Sequence, residues 1–170
     1  MYAVCDGDEK LQLSLETYGY KIQQCTNHFV KTSMYYLWME QYPKDDRIRI
    51  KKDIIRIIST LKYSVKKHRK DSDFTRLKWR VDKTQEELLV IANELLSKNK
   101  NSHAGRFILK TRGKVTLFAE LTTKGIQIPD TNNHIENMMG IVGQKVKTNH
   151  QSWVDANLNI MLNTIWHIIS

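Results

Sequence analysis

Between Ile50 and Val65 the apolar residues Ile50, Ile54, Ile57, Ile58, Leu61 and Val65 recur at the spacing of one face of a long α-helix. Such a stripe must be buried against other elements, so the chain is expected to be organised around helix packing. The other face of this helix is equally restrictive. From Arg47 to Lys70 there are ten Lys or Arg and one acid, Asp53, while the remainder holds 17 basic and 17 acidic residues. The whole net charge of +9 therefore lies in this segment. A basic stripe so concentrated is the electrostatic footprint of a protein that binds a phosphate backbone. The plainer reading, a solvated helix face, leaves the mutual repulsion of these charges without a counterweight. The residues expected to meet phosphates are Lys51, Lys52, Arg56, Lys62, Lys66, Lys67, Arg69 and Lys70. Arg47 and Arg49, near the helix start, read as ordinary surface charges.

The 170 residues suffice for one hydrophobic core, and 41% hydrophobic with 26% charged residues is the composition of a soluble globular protein. No apolar run approaches the ~18 residues of a membrane span. The start, with Asp6, Asp8 and Glu9, does not read as a signal peptide. Two cysteines, Cys5 and Cys25, suit a reducing compartment, so a cytoplasmic location is expected.

Around the basic helix the chain reads as follows. Tyr2–Cys5 is a short strand ending at Asp6-Gly7-Asp8, a pattern that places a carboxylate at the C-terminal edge of a sheet. An Asp-Gly turn is also common without any function. A helix from about Glu9 to Tyr18 is stopped by Gly19, and Lys21–Cys25 is a second strand. Cys25-Thr26-Asn27-His28 opens an aromatic-rich helix spanning Phe29 to about Gln41. Cys25 and His28 could begin a zinc site, but zinc takes four ligands and the other histidines form no second pair. Arg76-Leu77-Lys78-Trp79-Arg80 sets basic residues around an aromatic, suited to stacking a base or, more commonly, to placing a Trp in a core. Further helices are expected over about Thr84–Ser97 and Trp153–Ile169, with an exposed loop at Lys98–Ser102; Arg106–Leu121, divided by Gly113, suits helix or strand and is read as helix.

Gly125–Pro129 is an extended approach to Asp130-Thr131-Asn132-Asn133-His134-Ile135-Glu136. Ile135, Met138, Met139, Val142 and Val146 then mark an apolar helix stripe, with Glu136 beside it. Asn133 as N-cap and Glu136 three residues on form a capping box, which is a sufficient local explanation for both.

Thr131-Asn132-Asn133-x-x-Glu136 after a proline also resembles the TNN-x-x-E signature of DDE transposases of the Mutator-like type and their prokaryotic relatives. Asp6-Gly7, then a helix, a strand and Cys25-x-x-His28, resembles the stretch around that family's second catalytic Asp. The resemblance implies an RNase H-like catalytic core, and the chain as a whole is expected to be mostly α with a few short strands. Residues 1–42 would be the second part of that core, 43–104 a basic helical insertion, and 105–170 the C-terminal helices carrying the last acid. It implies that Asp6 and Glu136 are catalytic and metal-binding, and that Cys25, His28, Thr131, Asn132 and Asn133 are structural motif residues.

Members of such a family cut and join DNA with Mg²⁺ or Mn²⁺ held by three carboxylates, one ion activating the nucleophile and one stabilising the leaving oxygen. Here Met1 enters just ahead of the second acid, and no residue takes the place of the first Asp. The expectation is thus a transposase fragment, inactive alone, with weak or no metal binding. Its partner is DNA at transposon ends, where such proteins assemble as oligomers. A non-enzymatic basic helical DNA-binding protein, with Glu136 only a capping residue, is the alternative. A purely structural helical domain would leave the localised charge unexplained.

Overall fold

The computed structural model describes residues 1–71 and 74–133. Glu136, the helix around it and the expected helix over Trp153–Ile169 lie outside the described residues. Among the described residues the chain is mostly helical, with two short parallel strands: β1 (Tyr2–Cys5), α1 (Glu9–Thr17), β2 (Lys21–Gln24), α2 (Thr26–Met39), α3 (Lys44–Asp71), α4 (Phe74–Lys98) and α5 (His103–Thr122). Met1–Asn132 forms one compact unit.

β1, α1 and β2 make a parallel β-α-β unit, with Tyr2 opposite Lys21 and Cys5 opposite Gln24. Asp8 starts α1 as its N-cap, accepting the Leu11 N–H at 2.9 Å. Gly7 before it has φ +119°, and an added Cβ would lie 3.1 Å from the Gln24 side-chain nitrogen. A side chain there would be strained and crowded at once.

The sheet is docked onto α5 by one buried side chain. Gln23, 0% exposed, accepts the Phe118 N–H at 2.7 Å and donates to the Val115 carbonyl at 3.2 Å and the Gln24 carbonyl at 2.7 Å. Its amide is thereby satisfied at both ends, as a buried polar group must be.

The apolar stripe read from the sequence does pack as expected. Ile50, Ile54, Ile57 and Ile58 of α3 meet Phe29 and Leu37 of α2, Leu88, Ile91 and Leu95 of α4, and Ile108 and Val115 of α5. Farther along α3, Leu61 and Val65 join Leu77 and Val81 of α4 and Phe118 of α5 in a second cluster, on which Ile128 rests. α4 and α5 approach closely at Gly105, where a Cβ would sit 2.9 Å from Leu96 and 3.1 Å from the Ala92 carbonyl. Polar clamps fix the bundle's ends. Arg49 of α3 grips the Glu94 carboxylate of α4 with both guanidinium nitrogens. Glu40 accepts from the Ser102 hydroxyl and the Ala104 N–H at the start of α5, where a negative charge suits the helix dipole.

The structure refines several sequence expectations. α4 is one helix from Phe74, so Arg76–Arg80 and Thr84–Ser97 are not separate pieces. Trp79 is 63% exposed and does not serve the core. α2 begins at Thr26, earlier than its apolar periodicity announces, because the Thr26 N–H is held by the Asp130 carbonyl from far along the chain. Its end needs no glycine: Gln41 takes φ 56° and Tyr42 N–H bonds back to Leu37 O at 3.1 Å.

Candidate functional site

Strand order places one set of groups at the carboxyl edge of the β-α-β unit. Asp6 leaves β1 there and is exposed, its carboxylate 3.5 Å from the Asp8 N–H. Cys5, directly before it, is buried; burial pushes its thiol pKa up, and the neighbouring Asp6 charge adds to the shift. Just past the adjacent strand, Cys25 donates its N–H to Cys5 O at 2.7 Å, which ties the two strand ends together.

The segment leading to the Thr-Asn-Asn motif arrives at this same edge. Asp130 O accepts the Thr26 N–H at 3.0 Å, and the Asp130 carboxylate accepts the Thr26 hydroxyl at 3.2 Å. The same carboxylate oxygen lies 2.5 Å from Lys62 Nζ of α3. One aspartate thus joins three elements: the start of α2, the basic helix and the approach to Thr131. Its negative charge sits at a helix N-terminus, where the exposed N–H groups favour it. Thr131 and Asn132 are half-buried next in line, and Asn132 Oδ1 has no hydrogen-bond partner among the described residues.

The basic stripe is displayed as its periodicity requires. Lys51, Lys52, Arg56, Lys66 and Lys67 are exposed, on the side of α3 opposite its buried isoleucines. Lys51, Lys52, Lys66 and Lys67 have no ion-pair partner among the described residues, whereas Arg56 lies 3.7 Å from Asp53. Lys62 differs from the others because it is committed to Asp130. Arg69 and Lys70 continue the helix, and their side chains lie outside the described residues. Arg49 acts as a clamp to Glu94, in line with its exclusion from the stripe. A groove lined by Lys62, Val65, Lys66, Phe118, Gln127 and Ile128 runs from the stripe to Pro129 and Asp130.

Cys25 is fully buried as the N-cap of α2, with no side-chain capping bond, and His28 is half-buried one turn on. They share a helix end, and among the described residues no group of three or more His, Cys, Asp or Glu could hold a metal. Asp8 is spent on capping and Asp130 on Lys62 and Thr26, which leaves Asp6 as the available carboxylate. The described residues do not by themselves make a Mg²⁺ site, which calls for more oxygen ligands than one.

In the sequence Asp130 is only the first residue after the extended approach Gly125–Pro129. Its capping of α2 depends on a contact spanning 104 positions. No local pattern carries that information. Compared with protein-family models, curated proteins and solved structures, the chain matches none of them.

Proposed function

We propose that this chain is the part of a DDE transposase catalytic domain that carries the second and last acids, Asp6 and Glu136, together with a basic helical insertion that holds DNA. The observation that carries the reading is the edge just described. Asp6 follows β1 at the carboxyl end of a parallel pair, and the segment entering Thr131-Asn132-Asn133 is bonded through Asp130 to Thr26, at the end of the neighbouring strand. The segment that enters the second motif thus meets the chain just past the carboxyl end of β2, while Asp6 follows the paired end of β1; Glu136 itself lies outside the described residues. On this reading the β-α-β unit with α2 and α5 is RNase H-like core, and α3 with α4 is the insertion. In the same reading the groove lined by Lys62, Lys66, Pro129 and Asp130, beside the basic stripe, takes part of the bound strand. Bound Mg²⁺ in the intact enzyme would supply charge stabilisation at the phosphate; this chain's share is to position a carboxylate and grip the backbone.

The DNA that precedes the codon for Met1 tests the reading. An open or interrupted frame there, encoding strands that carry a further Asp, is the expected result. A promoter in that position, beside an unrelated neighbouring gene, would overturn it. The non-enzymatic DNA-binding protein would then remain, favoured by the four lysines of α3 that have no ion-pair partner among the described residues.

A further inference from the structure

The exposed face of α3 carries more than charge. Tyr63 is 68% exposed and makes no ring contact or hydrogen bond among the described residues. On a helix, residues three and four apart are neighbours about 5–6 Å apart at Cβ. That rule puts Tyr63 beside Ser59 on one side and Lys66 and Lys67 on the other, with Arg56 two turns back. All four of those neighbours are exposed, so the ring stands in the cationic stripe rather than over the core.

We propose that Tyr63 is a stacking platform for an unpaired nucleobase, and that α3 therefore engages single-stranded nucleic acid through base as well as backbone. The inference rests on the DNA-binding reading above and names the substrate class of that same surface. An aromatic face is indifferent to which base lies on it, because every base has a π-face, while flanking lysines hold the phosphates on either side. Paired bases in a duplex are already stacked and present only their edges and backbone, so the tyrosine has nothing to gain there. Insertion into a lipid surface fits less well. Ile55, the nearest exposed aliphatic residue on this helix, is two turns away, and the positions immediately around the ring are polar or charged.

The experiment measures the full chain binding a labelled single strand and the duplex of the same sequence, by fluorescence anisotropy at fixed salt. Tyr63→Ala should weaken single-strand binding about five- to a hundredfold, the range for losing one stacked base, and change duplex binding less than about twofold. Tyr63→Phe keeps the ring and should restore single-strand binding to near wild type. An equal loss on both nucleic acids overturns the inference, because the tyrosine would then serve the fold or the backbone. So does single-strand binding unchanged by Tyr63→Ala while duplex binding stays intact and salt-sensitive; that result leaves the DNA-binding reading standing. Wild-type protein that binds neither nucleic acid sinks both. An exposed side chain is not needed for folding, and a thermal melt of each variant verifies this directly.

Discussion

Replacing Asp130 by Ala should loosen the segment that approaches the Thr-Asn-Asn motif without unfolding the bundle. Two side-chain interactions are removed. The first is the ion pair to Lys62, in which the two side chains are 35% and 31% exposed, so solvent screening holds it to about 0.5 kcal/mol. The second is the Thr26 hydroxyl bond at 3.2 Å, part-buried and made to a charged acceptor, worth about 1 kcal/mol. Together they amount to about 1.5 kcal/mol, or roughly tenfold in a local opening equilibrium. The backbone bond from Thr26 N–H to Asp130 O survives the substitution and reports on that opening. Amide hydrogen exchange should therefore show Thr26 exchanging about tenfold faster in Asp130→Ala, while Cys25, whose N–H is bonded to Cys5 O, stays protected. Lys62→Gln alone should accelerate Thr26 exchange about two- to threefold, and should add nothing in the Asp130→Ala background. Unchanged Thr26 protection in Asp130→Ala would refute the reasoning, since the segment would then be held by something else.

Other outcomes follow from named contacts. Gln23→Glu places a carboxylate against the Val115 and Gln24 carbonyls in a fully buried site, and should cost at least about 3 kcal/mol by thermal or urea melting. Gln23→Leu, which adds no charge, should cost less. Gln41→Gly should stabilise by about 0.5–1 kcal/mol, because Gln41 ends α2 at φ 56° and glycine adopts that region freely. The Arg49 guanidinium holds the Glu94 carboxyl below its ordinary pKa of about 4.5. This lowered acid stabilises the fold above the unfolded-state pKa and loses that contribution as pH falls through the folded value. Acid unfolding monitored by circular dichroism should therefore begin at higher pH in Arg49→Gln. The 170-residue chain should not nick or join DNA with Mg²⁺ or Mn²⁺; strand transfer by the purified chain, lost in Glu136→Gln, would show that its carboxylates suffice.

Much of the architecture was readable because it is written locally. The strands at Tyr2–Cys5 and Lys21–Gln24, the helix between them and the buried face of α3 all follow from short-range periodicity and turn chemistry. What was not readable depends on distant partners. Lys62 looked like any other lysine of the stripe, and only its contact with Asp130 separates it from Lys66 and Lys67. Gln23 looked like a polar residue in a short strand, and its role as the bond between β2 and α5 needs the helix in place. Trp79 was undecided in sequence because Leu77 and Val81 near it are core, and two residues along a helix, about 200° of rotation, turn it outward. Asp6 follows β1 directly, a local relation that the strand pattern alone carries, and it is exposed there.

The transposase fragment and the DNA-binding protein share one proposed property: the outer face of α3 grips a phosphate backbone. The direct measurement is duplex DNA affinity as a function of salt, for wild type and for a variant with Lys51, Lys52, Lys66 and Lys67 replaced by Gln. These four have no ion-pair partner among the described residues, and Lys62 is left alone because its loss would disturb Asp130. Each phosphate neutralised contributes about −0.9 to the slope of log affinity against log salt, so full engagement of the four adds about −3.6. The variant should lose up to that much of the slope and bind more weakly, to a similar degree across sequences. A variant that binds duplex DNA with wild-type affinity and wild-type slope would contradict the claim.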